Sequence, residues 1–73
     1  MATQIVMDST GDRRHFFDQT DREAIAKAER RFCELTDQGF TAATRTEAGD
    51  LNVVRTFDPA AHETLFYPRL VGG

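Results

Sequence analysis

The sequence predicts a two-layer α+β domain in which one helix packs on one face of a single sheet. Three observations carry this. The chain has 73 residues, with six Phe, one Tyr and 40% hydrophobic residues, enough for one small core with no room for a cleft between domains. It contains one stretch of helical periodicity, flanked on both sides by short segments rich in β-branched and aromatic residues. A lone helix with an apolar stripe must bury that stripe, and one face of a sheet is the surface available. The hydrophobic content argues against disorder despite 29% charged residues.

Residues 3–7 (Thr3, Gln4, Ile5, Val6, Met7) read as a first strand, and Thr10, Gly11 and Asp12 supply turn chemistry before Arg14, His15, Phe16 and Phe17, which predicts a hairpin. Thr20 followed by Glu23 has the spacing of a capping box and predicts a helix starting at Asp21. Ile25, Ala28, Phe32 and Leu35 then recur at helical spacing beside Ala24, with Glu23, Lys27, Arg30 and Glu34 on the opposite face. Gly39 suits the left-handed residue that ends a helix, and Phe40 after it can fold back on the last turn, so the helix should stop near Gln38.

Residues 40–46 alternate weakly, and Ala48, Gly49 and Asp50 turn the chain into residues 51–57, a second hairpin. Asp58 and Pro59 have the chemistry of a cap and first position for one helical turn through Ala60 and Ala61. Residues 63–67 form the last strand. Pro68 lacks a donor and belongs at a sheet edge or a strand's end.

Two strands, a helix, two strands, a short turn and a final strand is the element order of the β-grasp fold, with the first and last strands adjacent and parallel at the centre of the sheet. Ferredoxin-like and other small α+β arrangements share much of the pattern. The expected organisation is a single β-grasp domain over residues 1–68 and a flexible diglycine tail over 69–73.

Composition narrows the function classes. A net charge of −3 spread along the chain argues against a nucleic-acid partner, which needs a basic stripe. No apolar run is long enough to span a bilayer and no signal peptide is evident, so no membrane association is expected. The single cysteine, Cys33, has no internal disulfide partner, and the default compartment is a reducing cytoplasm. Cys33 falls on the flank of the helix and reads as a small half-buried hydrophobe rather than a reactive thiol. His15 and His62 have no ligand spacing to Cys33 or the aspartates, so neither a metal nor a cofactor is expected. Asp8, Asp12 and Asp18 surround turns and should make Asx-type bonds. Lys27, the only lysine, reads as half of a Glu23–Lys27 pair on the helix surface. There is no nucleophile–base pair and no phosphate-binding glycine loop, so no enzyme is predicted.

The most informative segment is the last one, Leu70, Val71, Gly72, Gly73 behind Tyr67, Pro68 and Arg69. Two closing glycines arise by chance in roughly 0.5% of chains, taking Gly usage at about 7% per position. Without Cβ atoms, a Gly-Gly tail fits a channel too narrow for side chains and leaves the terminal carboxylate bare. That suits an enzyme that adenylates the carboxylate and passes the acyl group to a sulfur nucleophile. A frayed polar terminus is the alternative.

Residues 62–73 resemble the C-terminus of the sulfur-carrier small subunit of molybdopterin synthase, with Glu63, Tyr67, Pro68, Leu70, Gly72 and Gly73 matching position by position. The tail is also similar to that of ubiquitin at Arg69, Leu70, Gly72 and Gly73, with Val71 in place of an arginine. Both families are β-grasp proteins activated at the terminal glycine. The resemblance covers about a sixth of the chain, and the first sixty residues match neither family. It implies a non-catalytic ubiquitin-like modifier or sulfur carrier. Gly73 would be adenylated by an activating enzyme that uses ATP, and Gly72 would let the tail thread into that enzyme. Arg69, Leu70 and Val71 would set register in the partner's groove, with Pro68 and Tyr67 stiffening the exit. The acceptor would be a target protein or a sulfur-transfer partner. The competing class is an α+β adaptor or phage-type accessory protein whose glycines are incidental.

Overall fold

The computed structural model describes residues 1–46 and 48–68. Five strands and one helix follow in the order β1 (Ala2–Asp8), β2 (Gly11–Phe17), α1 (Arg22–Asp37), β3 (Phe40–Arg45), β4 (Leu51–Val54) and β5 (Glu63–Pro68). The strands form one sheet in the order β2-β1-β5-β3-β4. β1 and β5 are parallel at its centre and the other pairings are antiparallel. The small α+β domain expected from the sequence is what the chain forms, with α1 on one face of a mixed sheet.

Strand alternation decides what the helix covers. Ala2, Gln4 and Val6 on β1 lie in register beside Phe17, His15 and Arg13 on β2, and Gln4 and Val6 lie beside Thr64 and Phe66 on β5. Ala42 continues the row from Phe66, and Val54 follows it. Against this face α1 buries Ala28 and Phe32. The core has two lobes: Val6, Phe32, Ala42 and Phe66 in one, Ala2, Phe17 and Ala28 in the other. In the first lobe Ala42 lies in register beside Phe66, and the Phe32 and Phe66 rings meet edge to face at 5.7 Å.

Both hairpins form as expected, and each turn uses a glycine with positive φ, Gly11 at +118° and Gly49 at +88°. The helix ends as expected at a Gln38 cap, with Gly39 at φ +98°. Gly39 N donates to Thr36 O at 3.1 Å, and Phe40 packs back against the core beside Leu35.

Four local expectations are corrected. The helix cap is Asp21, not Thr20: its Oδ1 accepts from the backbone N–H groups of Glu23 and Ala24 at 3.0 and 3.4 Å, and α1 begins at Arg22. Thr20 is unavailable because its N–H and hydroxyl both donate to Asp18 Oδ1. A carboxylate at the cap also suits the positive end of the helix dipole. β4 stops at Val54 rather than continuing to Phe57, since Phe57 leaves the strand and packs its ring 6.2 Å from Phe17 and 6.0 Å from Phe32. Phe57 thereby joins both core lobes. Cys33 is exposed, not half-buried, because the apolar stripe turns away from it between Phe32 and Leu35. Glu23 and Lys27 do not pair; the salt bridges among the described residues are Arg13–Asp8 and Arg45–Glu63, each at 2.9 Å.

Candidate functional site

The site begins where β5 ends. Glu63 to Phe66 are gripped between β1 and β3: Thr3, Gln4, Ile5 and Val6 pair on one side, and Phe40 to Thr44 pair on the other, from Pro68 back to Thr64. Phe66 is fully buried under the helix, and Leu65 is buried on the opposite face beside Ile5 and Ala43. Arg45 Nε donates to Glu63 Oε1 at 2.9 Å and ties β3 to the first residue of β5. The segment that follows is thus continuous with a strand paired on both sides near the centre of the sheet.

Tyr67 and Pro68 are the predicted site residues that the structure places. Tyr67 is half-buried in register with Thr41, and Pro68 is exposed opposite Phe40. The pairing with β1 runs to Phe66, and Pro68 is the last residue of β5, the strand-end position that suits a residue without an N–H. A cleft of about 450 Å³ opens beside this exit, lined by Thr36, Gly39, Phe40, Thr41, Val53 and Arg55 among others. It borders the strand positions that Tyr67 and Pro68 pair with. Arg69, Leu70, Val71, Gly72 and Gly73, the tail to which the sequence assigns the chemistry, lie outside the described residues.

The turns around the hairpins behave as their aspartates predict in two cases of three. Asp8 Oδ1 accepts from the Thr10 N–H at 2.8 Å, and Asp18 Oδ1 accepts from the Thr20 N–H at 2.9 Å. The Thr10 and Thr20 hydrogen bonds hold both carboxyls below their ordinary value of 3.8. Asp12 makes no such side-chain bond among the described residues. Asp58 Oδ1 caps the turn at residues 59–60 by accepting from Ala60 N at 2.9 Å. Gln19 Nε2 donates to Pro59 O at 3.0 Å and fastens that turn to the end of the first hairpin.

Sequence reasoning missed Gln4. It is fully buried, with Nε2 donating to the Ala28 carbonyl at 3.0 Å and Oε1 accepting from Arg31 Nη1 at 2.7 Å. The signal was one polar residue between Ala2 and Val6 at an inward position of the strand. Among the described residues no group of three or more His, Cys, Asp or Glu could hold a metal ion, and no helix is long and apolar enough to cross a membrane. Comparisons with protein-family models, curated proteins and solved structures found no match.

Proposed function

We propose that this chain is a β-grasp protein that acts as a ubiquitin-like modifier or sulfur carrier through Gly73. The supporting observation is the strand order: β1 and β5 lie parallel at the sheet centre, and β5 leads directly into the segment that carries Gly72 and Gly73. A partner enzyme joins the Gly73 carboxylate to the α-phosphorus of ATP and releases pyrophosphate. A sulfide-equivalent donor then displaces AMP to leave a thiocarboxylate, or transfer through a thioester leaves an amide on a target lysine. Either route requires Gly73 to be presented as a free carboxylate, whether as synthesised or after trimming of a longer precursor. The chain supplies the carboxylate, and the partner supplies the energy and catalysis.

The fold suits this task because β5, which leads into the tail, is held at the centre of the sheet. Tyr67 and Pro68 fix the exit, so a partner that binds the adjoining cleft meets the tail at a defined place, which lowers the entropy cost of docking. Deleting Gly72 and Gly73 tests the reading. In the native host the deleted chain should keep its melting temperature and lose all thiocarboxylate and conjugate formation. Wild-type chain that forms neither product, while both forms capture the same partner, would identify the molecule as an adaptor.

A further inference from the structure

The molecule is acidic overall, with a net charge of −3, but one flank of it is basic. β2 is an edge strand, and its residues on the helix side are Arg13, His15 and Phe17. Phe17 lies in the core, whereas Arg13 and His15 continue past the packed region toward one ridge of α1. That ridge carries Lys27, Arg31, Glu34 and Gln38, spaced four, three and four residues apart, so that they stack on one side of the helix. Between ridge and strand is a cleft of about 220 Å³ lined by Arg13, His15, Arg31, Glu34 and Gln38. Residues 13 and 31 meet here only because the sheet places β2 beside the helix flank.

Both guanidinium groups are held from behind. Gln4, itself fixed to the Ala28 carbonyl, accepts from Arg31 Nη1, and Asp8 Oδ2 accepts from Arg13 Nη2. Each contact uses one of the five donors of an arginine, which leaves a fork on each for a ligand. The acidic groups at the site are Asp8 and Glu34. Lys27 and Arg30 line the adjoining cleft with Arg31 and offset them, four cations against two carboxylates. The His15 imidazole responds to this field: burial first, then Arg31 and Arg13, holds it below its ordinary value of 6.5.

We propose that the cleft between β2 and α1 is an oxyanion site for a phosphate-class group, free or carried on a partner, gripped by Arg13 and Arg31 with His15 and Gln38 as further hydrogen-bond partners. Planar, pre-positioned guanidinium groups suit tetrahedral oxyanions better than flexible ammonium groups do. The site is independent of Gly73 and goes beyond the proposed carrier function. An anion seated between the arginines neutralises the charges that oppose protonation of His15, so occupancy raises the imidazole pKa.

The test is an NMR titration of the full chain with inorganic phosphate against chloride at equal ionic strength, following the His15 ring and the amides of β2 and α1. The ring of His62, exposed just before β5, is the internal control for bulk salt effects. Phosphate should shift the His15 titration upward and move the amides around Arg13 and Arg31 in a saturable way. Arg13→Gln should weaken binding about tenfold, the loss of one charge-assisted contact, while Glu34→Gln should strengthen it. Arg13 and Glu34 are both exposed, so neither variant threatens the fold. A phosphoserine peptide forms the second arm: tighter binding than inorganic phosphate assigns the group to a partner, and equal binding assigns it to the free ion. If neither probe moves His15, or if both variants bind like wild type, the proposal is wrong.

Discussion

The two faces of the sheet are made from alternate residues of the same strands, yet they are stabilised in different ways. On the covered face Phe66 is 0% exposed and Phe32 3%, closed in by α1 and by the Phe57 ring that leaves β4. On the other face Ile5 and Leu65 reach 9% and 7% with no helix above them. Their cover comes from neighbours within the sheet, and at its margins Phe16, Leu51 and Val53 stay largely in water. Buried area alone does not separate these faces. Ring-on-ring packing does, because a truncated Phe66 leaves a void bounded on all sides, whereas side chains around Leu65 can relax toward solvent.

That difference is open to mutation. Phe66→Ala should cost about 3–5 kcal/mol and unfold a domain of this size, with Phe66→Leu as the variant that still folds and yields a urea midpoint. Leu65→Ala should cost about 2 kcal/mol, at the low end for a buried leucine, because its site collapses. Equal losses on the two faces, measured by urea unfolding, would contradict the comparison. Gly39→Ala acts on the helix end and should cost about 1 kcal/mol, since Gly39 has φ +98° and a side chain is strained there even with open space around it. Val53→Ser at the open margin should change stability by less than about 0.5 kcal/mol.

The smallest expected effect is on pH dependence. Asp8, Asp18 and His15 all have folded-state pKa values below their ordinary ones. In each case the unfolded chain binds protons more readily, so stability rises with pH. His15 contributes above 6.5 and its share is lost as pH falls below that; the two aspartates contribute above 3.8 and their share is lost as pH falls further. Urea midpoints should therefore decline in two steps on acidification, and Asp8→Asn with Asp18→Asn should flatten the lower one.

The parts of the fold legible in the sequence were those set by neighbours along the chain. The apolar stripe from Ile25 to Leu35, the Gly39 stop and the glycine turns at 11 and 49 are local signals, and the structure has each of them. The central parallel pairing of β1 with β5 was expected of one arrangement, the β-grasp order, among several α+β arrangements that share the pattern, and the structure has it. What escaped detection depends on competition or on distance. Thr20 and Asp21 both have capping side chains, and the neighbouring Asp18 decided between them by occupying Thr20. Phe57 looked like the end of a strand because its partners, Phe17 and Phe32, lie far away in sequence. The cleft between β2 and α1 was invisible for the same reason, since nothing local joins Arg13 and His15 to Arg31. At the candidate site, the ends of β5 and Pro68 were legible, while the chemistry assigned to Gly73 came from the tail sequence alone.

The most direct test of the carrier account is mass spectrometry of the intact protein and its C-terminal peptide after purification from the native host, with a parallel search for Gly-Gly remnants on lysines of other proteins. The account predicts either a thiocarboxylate on Gly73, seen as the mass change of one sulfur replacing one oxygen, or such remnants on target lysines. An unmodified Gly73 carboxylate under all growth conditions, with no conjugates, would contradict it.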